Sequence, residues 1–348
     1  MSHPLLLGMF HRQIEGDHHL LELAQRHFTH IKLGAEFYPT SLNDLQTSLE
    51  FRPLTEHRYT MHLPRSLNLL HEGSRKTILS YAKRGRTDAY GMIIHDQAEM
   101  ATNPPAYIKA IQTINAHLLK INPSPYLFIE YAAGLELDTF ASIFEAVADC
   151  ERVSACIDIS HVGIRQSQRA YAELYPSEDV CLLSPGHPAL TVRIDDVVTT
   201  TATALPAVLT LIKRLAKLDK PLHFHLHDGH PISTFSPYGV NDHLSFYRQI
   251  KLPFKHKKKN VIPLLFGQTG LEKIINTALD TLSAKKLSFM LEIHPQYNSQ
   301  YEQLALGEYE SLFQNWNLLR NAEQMNAWLE EISKNAQLLQ KLCVKRDA

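Results

Sequence analysis

Eight short apolar runs separated by longer amphipathic stretches constrain this chain more than any other feature. They cover residues 5–10, 30–37, 59–62, 90–95, 126–131, 153–159, 221–226 and 287–293. Most are four to eight residues long and bounded by polar or proline-rich segments, as parallel strands covered on both faces should be. Between them the apolar spacing turns helical. Residues 20–28 carry Leu20, Leu21, Leu23 and Ala24; 107–119 carry Ile108, Ile111, Ile114 and Leu118; 205–218 carry Leu209, Ile212 and Leu215; 271–282 carry Ile274, Ile275, Ala278 and Leu282.

Eight apolar runs, most followed by a helical pattern, predict an α/β fold: a (β/α)8 TIM barrel. A doubly wound sheet is the alternative, but it gives no reason for eight runs. With 348 residues the chain has about 43 per unit, more than the fold needs, so insertions are expected. One follows strand six, at 170–198, with Pro176, Pro185, Gly186 and Pro188 as breakers; the other follows strand seven, at 228–263. A C-terminal helical extension begins after Gln300, with Trp316, Leu319 and Trp328 covering apolar surface. The expectation is one domain over 1–348, with a barrel core at 4–297 and C-terminal helices at 298–340.

Composition narrows the partners. Thirty-five basic residues balance 36 acidic ones, so no global field favours nucleic acid or an anionic membrane. Four cysteines without a CxxC pair do not read as a disulfide framework, and a reducing, cytoplasmic setting is expected. The N-terminus lacks a basic leader segment, and no run approaches eighteen apolar residues, so no membrane partner is expected. The 20 histidines are the unusual number, because imidazole is both the commonest metal ligand and the usual proton carrier near neutral pH.

A barrel presents its chemistry at the C-terminal ends of its strands. Run two ends near Glu36, run three in His62, run four in His95, and run five near Glu130. Run six ends near Asp158 with His161 beyond. Run seven ends around His225, His227 and Asp228, and run eight near Glu292, with His294 following. Carboxylates buried after apolar runs are costly unless paired or metal-bound, so their convergence points to a cation. Carboxylate and imidazole without cysteine suit a divalent metal ion: Mn2+, Mg2+, Co2+ or Zn2+. One reading uses Glu130, Asp158, His225 and Glu292. A fuller one adds His62, His95 and His161 and allows two or three metals.

The ordered motifs MHLP, GMIIH, FIEYAAG, CIDISHVGI, HLHDG and FMLEIHP resemble the xylose isomerase-like barrel superfamily over residues 5–295. That group holds sugar isomerases and epimerases, inosose dehydratases and the endonuclease IV group. The resemblance implies metal ligation by Glu130, Asp158, His225 and Glu292. In the isomerase and epimerase branch it also implies proton transfer by the two glutamates, Glu130 and Glu292, beside a metal-polarised carbonyl. His161 matches a histidine that contacts substrate or metal. In the endonuclease branch, histidines matching His62 and His95 help hold three zinc ions. The chain departs from that branch afterwards. Histidine (His227) replaces an asparagine in His225-Leu226-His227-Asp228, Asp242 and His243 are adjacent where the branch has an intervening residue, and the turn at 266–270 lacks its histidine.

Other residues have plainer readings. His223, His225 and His227 share one face, with His223 too deep for a metal and His227 orienting substrate or filling the upper layer. Cys156 shares the inward face of Asp158 and belongs to the core. Glu36 either binds substrate or pairs with Lys32 or Arg65. The basic run 255–259 is a solvated loop or a phosphate contact, without the aromatic residues that base stacking needs. Gly267 and Gly270 lack dinucleotide-fingerprint spacing.

The expected function is a divalent-metal isomerase or epimerase acting on a small carbohydrate or polyol. Glu130 and Glu292 would be catalytic. His62, His95, His161, His227 and Glu36 would contact substrate, and His62, His95, His161, Asp242 and His243 would be available as further metal ligands. An endonuclease IV-like zinc phosphodiesterase acting on abasic DNA is the second expectation, and a metabolite-binding barrel the third. Nucleic acid is the disfavoured partner; a homo-oligomer is compatible.

Overall fold

The computed structural model describes residues 3–10, 18–132, 134–183, 188–229, 243–247, 255–256, 259–260, 265–293 and 322–344. Eight parallel strands close into a barrel: β1 (Leu5–Phe10), β2 (Gly34–Phe37), β3 (Tyr59–His62), β4 (Ala89–His95), β5 (Tyr126–Glu130), β6 (Val153–Asp158), β7 (Leu222–Leu226) and, after a two-residue antiparallel pair β8 (Lys255–His256) and β9 (Lys259–Asn260), β10 (Leu287–Leu291). β1 pairs with both β2 and β10, which closes the ring and rules out the open doubly wound sheet. The second strand begins at Gly34, later than the run at 30–37 suggests, because α1 (His18–His30) keeps its helical register through His30.

The outer layer follows the sequence pattern: α2 (Leu42–Glu50), α3 (Glu72–Arg84), the short α4 (Glu99–Thr102), α5 (Pro104–Leu118), α6 (Leu137–Ala146), α7 (Ile159–Leu174), α8 (Leu190–Thr200), α9 (Ala204–Ala216), α10 (Gly267–Thr281) and α11 (Ala322–Val344). α5 starts where it does because Asn103 caps it, its side chain accepting from the Ala106 amide, and because prolines occupy the first turn, where no amide is needed. The insertion after β6 is mostly helical. It has a small core of its own, formed by Tyr171, Val180, Leu183, Leu190, Ile194 and Val197.

The C-terminal helix is part of the ring. α11 packs against α1, α10, β1 and β10, the position of the helix that follows the eighth strand. Trp328 lies tilted against Phe28, ring centroids 6.2 Å apart, and donates its indole N–H to the Ile293 carbonyl at 2.8 Å. Trp316 and Leu319 lie outside the described residues, as do Asp242 and His294.

Helices α8 and α9 with the turn between them form one helical stretch, Leu190–Ala216, whose most apolar window has mean hydropathy 1.2. That length and composition could cross a bilayer, which the apolar-run count did not reveal. Here α9 buries Val208, Leu211, Ile212 and Leu215 against the neighbouring helices α7 and α10.

Strand alternation divides the core in two. In β7, Leu222, Phe224 and Leu226 join the large apolar layer between sheet and helices, so His223 and His225 face the barrel interior. The apolar part of that interior is small: Ile93, Phe128 and Cys156. Above it lie buried polar groups, and buried ionisable groups need partners.

Candidate metal centre at the barrel mouth

Strand register brings the polar ends together. His95 aligns with Glu130, and Asp158 with His225. One ligand atom from each of Glu130, Asp158, His225 and Glu292 can be chosen so that all four lie within 4.8 Å of one another, and all four residues are buried. Three further groups meet the same limit: His62, His95 and Glu130; His161, His227 and His243; and Cys156, His223 and His225. The groups are joined by carboxylates. Glu130 Oε2 lies 2.8 Å from His62 Nε2 and 3.5 Å from His95 Nε2, while its Oε1 lies 3.6 Å from His225 Nδ1. Asp158 lies 3.1 Å from His161 Nδ1 and 3.0 Å from His227 Nε2. Glu292 Oε2 lies 3.1 Å from His225 Nδ1 and 3.6 Å from His243 Nε2.

Local structure explains why Asp158 stands where it does. It caps α7, accepting the His161 amide on Oδ1 at 2.9 Å, which places His161 in the first helical turn facing the same carboxylate. Segment 243–247 is fixed from the opposite side. Asn335, wholly buried on α11, accepts the Phe246 amide at 3.1 Å and donates to Ser245 Oγ at 2.9 Å, which holds the strap that carries His243. The rings of His243 and His227 stack at 4.1 Å.

The electrostatics favour positive charge at the centre. Burial alone would raise the Glu130 and Glu292 carboxyls. Facing imidazoles, His95 and His225 for Glu130 and His225 and His243 for Glu292, outweigh it and hold both well below the usual range. Burial likewise works against Asp158, but His161 and His227 keep its carboxyl low. Burial disfavours a charged His225, yet Cys156, Glu292, Glu36 and Glu130 together push it well above its ordinary value. Both His225 ring nitrogens and Glu292 Oε2 are buried and make no well-angled hydrogen bond, although carboxylates approach His225 to 3.1 Å on either side. Buried polar atoms left in that state are costly, and a divalent cation coordinated between carboxylate oxygens and imidazole nitrogens would satisfy them. The donor set therefore fits a metal.

Glu36 is wholly buried beneath this centre, with Thr60 Oγ1 at 2.6 Å, His223 Nε2 at 3.0 Å and His225 Nε2 at 3.1 Å. These partners stand in place of the pairing with Lys32 or Arg65 that the sequence left open. Burial pushes its carboxyl up, and His225 and His223 outweigh it and hold it well below the carboxylate range. His223 donates or accepts at Ser288 Oγ, 2.7 Å away, and stacks on Phe128.

Sequence reasoning passed over two residues, Tyr38 and Asn335, and named Asp228 at a strand end without a role. Tyr38 donates to Glu292 at 3.0 Å and stacks on His62; standing two residues after Glu36, it shares that face, and the same alternation could have found it. Asp228 is no ligand here. Its carboxylate accepts the amides of Gly229, Phe266 and Gly267 at 2.8, 3.2 and 2.7 Å and so anchors the start of α10. Asn335 has no local signal beyond being polar on an apolar helix face. Asp242 and the side chains of the 255–259 run lie outside the described residues.

No protein-family model matches the chain, and no curated protein matches it. A solved structure does. The crystal structure of AsfvAP:AG superposes over 97% of this chain and 100% of that one, at a TM-score of 0.51 and 12% identity. The likeness is one of fold. The carboxyl transferase domain of Rhizobium etli pyruvate carboxylase also matches, over 97% of this chain and 48% of that one, at 11% identity and a TM-score of 0.36.

Proposed function

We propose that this chain is a metal-dependent hydrolase of the endonuclease IV kind, a member of the xylose isomerase-like superfamily that cleaves a phosphate ester at a centre of three divalent cations. The bridging carboxylates carry this reading. Glu130 belongs to two donor groups, and Asp158 belongs to one and contacts two histidines of the next. An isomerase needs a cation between two proton-moving groups and would leave His62, His95 and His161 to contact substrate; the grouping of His62 and His95 on Glu130, and of His161, His227 and His243 beside Asp158, favours further cations. A row of cations joined by shared carboxylates is the arrangement that clamps the attacking and leaving oxygens of a phosphoryl displacement.

Bound cations would supply Lewis acidity at the phosphoryl oxygens and a water acidic enough to attack at neutral pH. The chain does the rest. His62 and His95 hold one oxygen of Glu130, leaving the other toward His225. His161 and His227 fix Asp158, and Tyr38 steadies Glu292. The imidazole-rich set suits zinc best. His227, where the endonuclease pattern has asparagine, gives the group with His161 and His243 a third imidazole.

The isomerase reading stands second, supported by Glu130 and Glu292 both approaching Nδ1 of His225 from different strands. The two are separated by assaying zinc- and manganese-loaded protein on bis(p-nitrophenyl) phosphate and on a duplex with an abasic site, and on aldoses and ketoses in D2O. Phosphodiester cleavage without deuterium exchange is expected. Deuterium entering the carbon beside a carbonyl, with no phosphodiester cleaved, would establish the second reading instead.

A further inference from the structure

Beneath the metal centre, a chain of four side chains runs inward through the barrel: His225, Glu36, His223 and Ser288, all with no exposed surface. Their contacts run inward at 3.1, 3.0 and 2.7 Å, the first an ion-pair approach without hydrogen-bond angles and the other two hydrogen bonds. Thr60 Oγ1 and the Tyr38 hydroxyl add two more contacts to Glu36, at 2.6 and 3.3 Å. Glu36 has no exposed surface, and every contact described for it is to a protein side chain. A carboxylate buried this deeply is costly to desolvate, and two imidazoles and a hydroxyl face it within 3.1 Å.

One of those imidazoles faces the centre with its other nitrogen. His225 turns Nε2 to Glu36 Oε1, and Nδ1 to Glu292 and Glu130. We propose that Glu36 is a positioning residue for the metal centre: it fixes the His225 ring from below, so that Nδ1 is the nitrogen offered to a cation. A carboxylate behind a metal-binding histidine sets the ring's tautomer and orientation and makes the ligating nitrogen a better donor. This rests on the metal-centre reading above. It adds that the affinity of the position His225 serves is set one layer below the ligands.

The test is Co2+ titration of the metal-free protein, followed through the visible d–d spectrum and by competition with a chelating dye. Glu36→Gln keeps the volume and the bonds to Thr60 and His223 but removes the charge. It should bind one cation about 10–100-fold more weakly than the wild type, with a changed spectrum for that ion and the others unaltered. Thr60→Val, which removes a partner of Glu36 and leaves the His225 contact, should bind like the wild type. If Glu36→Gln does not fold, Glu36→Asp, which draws the carboxylate back from His225, is read in the same way. Wild-type affinity and spectrum in a folded Glu36 variant would overturn the proposal. Equal weakening by Thr60→Val would reduce Glu36 to a structural role and overturn it too. Wild-type protein that binds no Co2+ would instead remove the metal-centre reading on which it rests.

Discussion

Replacing Glu130 with glutamine should cost two cations at once, because Glu130 is shared between the His62–His95 group and the group containing His225. Glutamine keeps the volume and an acceptor for His62, so the metal-free fold should survive. The size of the effect follows from mass action. A cation at a hundred times its dissociation constant stabilises the protein by about 2.7 kcal/mol. Unfolding a 348-residue chain carries an entropy of about 0.7 kcal/mol/K, at the usual per-residue value. Each cation is then worth about 4 °C in Tm, and three about 11 °C. Wild-type protein titrated with zinc should gain about 11 °C, Glu130→Gln about 4 °C and His62→Gln about 7 °C. Scanning fluorimetry reads the shifts, and elemental analysis of dialysed protein counts the ions. If Glu130→Gln loses no more than His62→Gln, the shared carboxylate is not a bridge and the three-cation reasoning fails.

Three other perturbations probe different parts of the molecule. Burial lowers the His95 imidazole to about 4 from an ordinary 6.5. The unfolded chain therefore takes up this proton at a higher pH than the fold does. Wild-type metal-free protein should lose up to about 3 kcal/mol more than His95→Gln as pH falls from about 6.5 to about 4. Parallel denaturation profiles for the two would contradict this. Tyr38→Phe removes the donor 3.0 Å from Glu292 and should weaken cation binding about tenfold while leaving the metal-free Tm alone; unchanged affinity would leave Tyr38 as packing on His62. Gly91→Ala would drive a methyl into the Phe128 ring, against which His223 stacks. It should cost about 1–3 kcal/mol, or about 1–4 °C in Tm, and a neutral result would mean the ring can move aside.

The barrel was legible because its strands announce themselves twice, as apolar runs and as runs that end in a polar residue. Glu130, Asp158, His225 and Glu292 were named from strand ends, with the family resemblance choosing His225 over His227, and the structure brings their donor atoms together. What the chain could not reveal were relations between distant segments. His243 sits in an insertion with no strand to place it, and it is held by Asn335 on the last helix, ninety positions from Ser245. Glu36 read as a candidate for substrate because it ends a strand. Its depth comes from the neighbours that cover it, and sequence alternation fixes which face a residue occupies but not how far down the barrel it lies. The relative weight of the two functional readings also turned on geometry, since bridging is a property of distances between groups.

The Asp228 carboxylate accepts amides from both ends of the insertion after β7, and Leu265 donates back to the Gly229 carbonyl at 3.1 Å. The insertion therefore leaves and rejoins the barrel through one knot, and Leu244, which exchanges two backbone hydrogen bonds with Asp228, ties the strap bearing His243 to the same point. Lengthening such a loop is cheap once its ends are fixed: doubling it costs about 0.6 kcal/mol. A change in the length of this insertion is therefore expected to leave in place the strand ends that bring Glu130, Asp158 and His225 together.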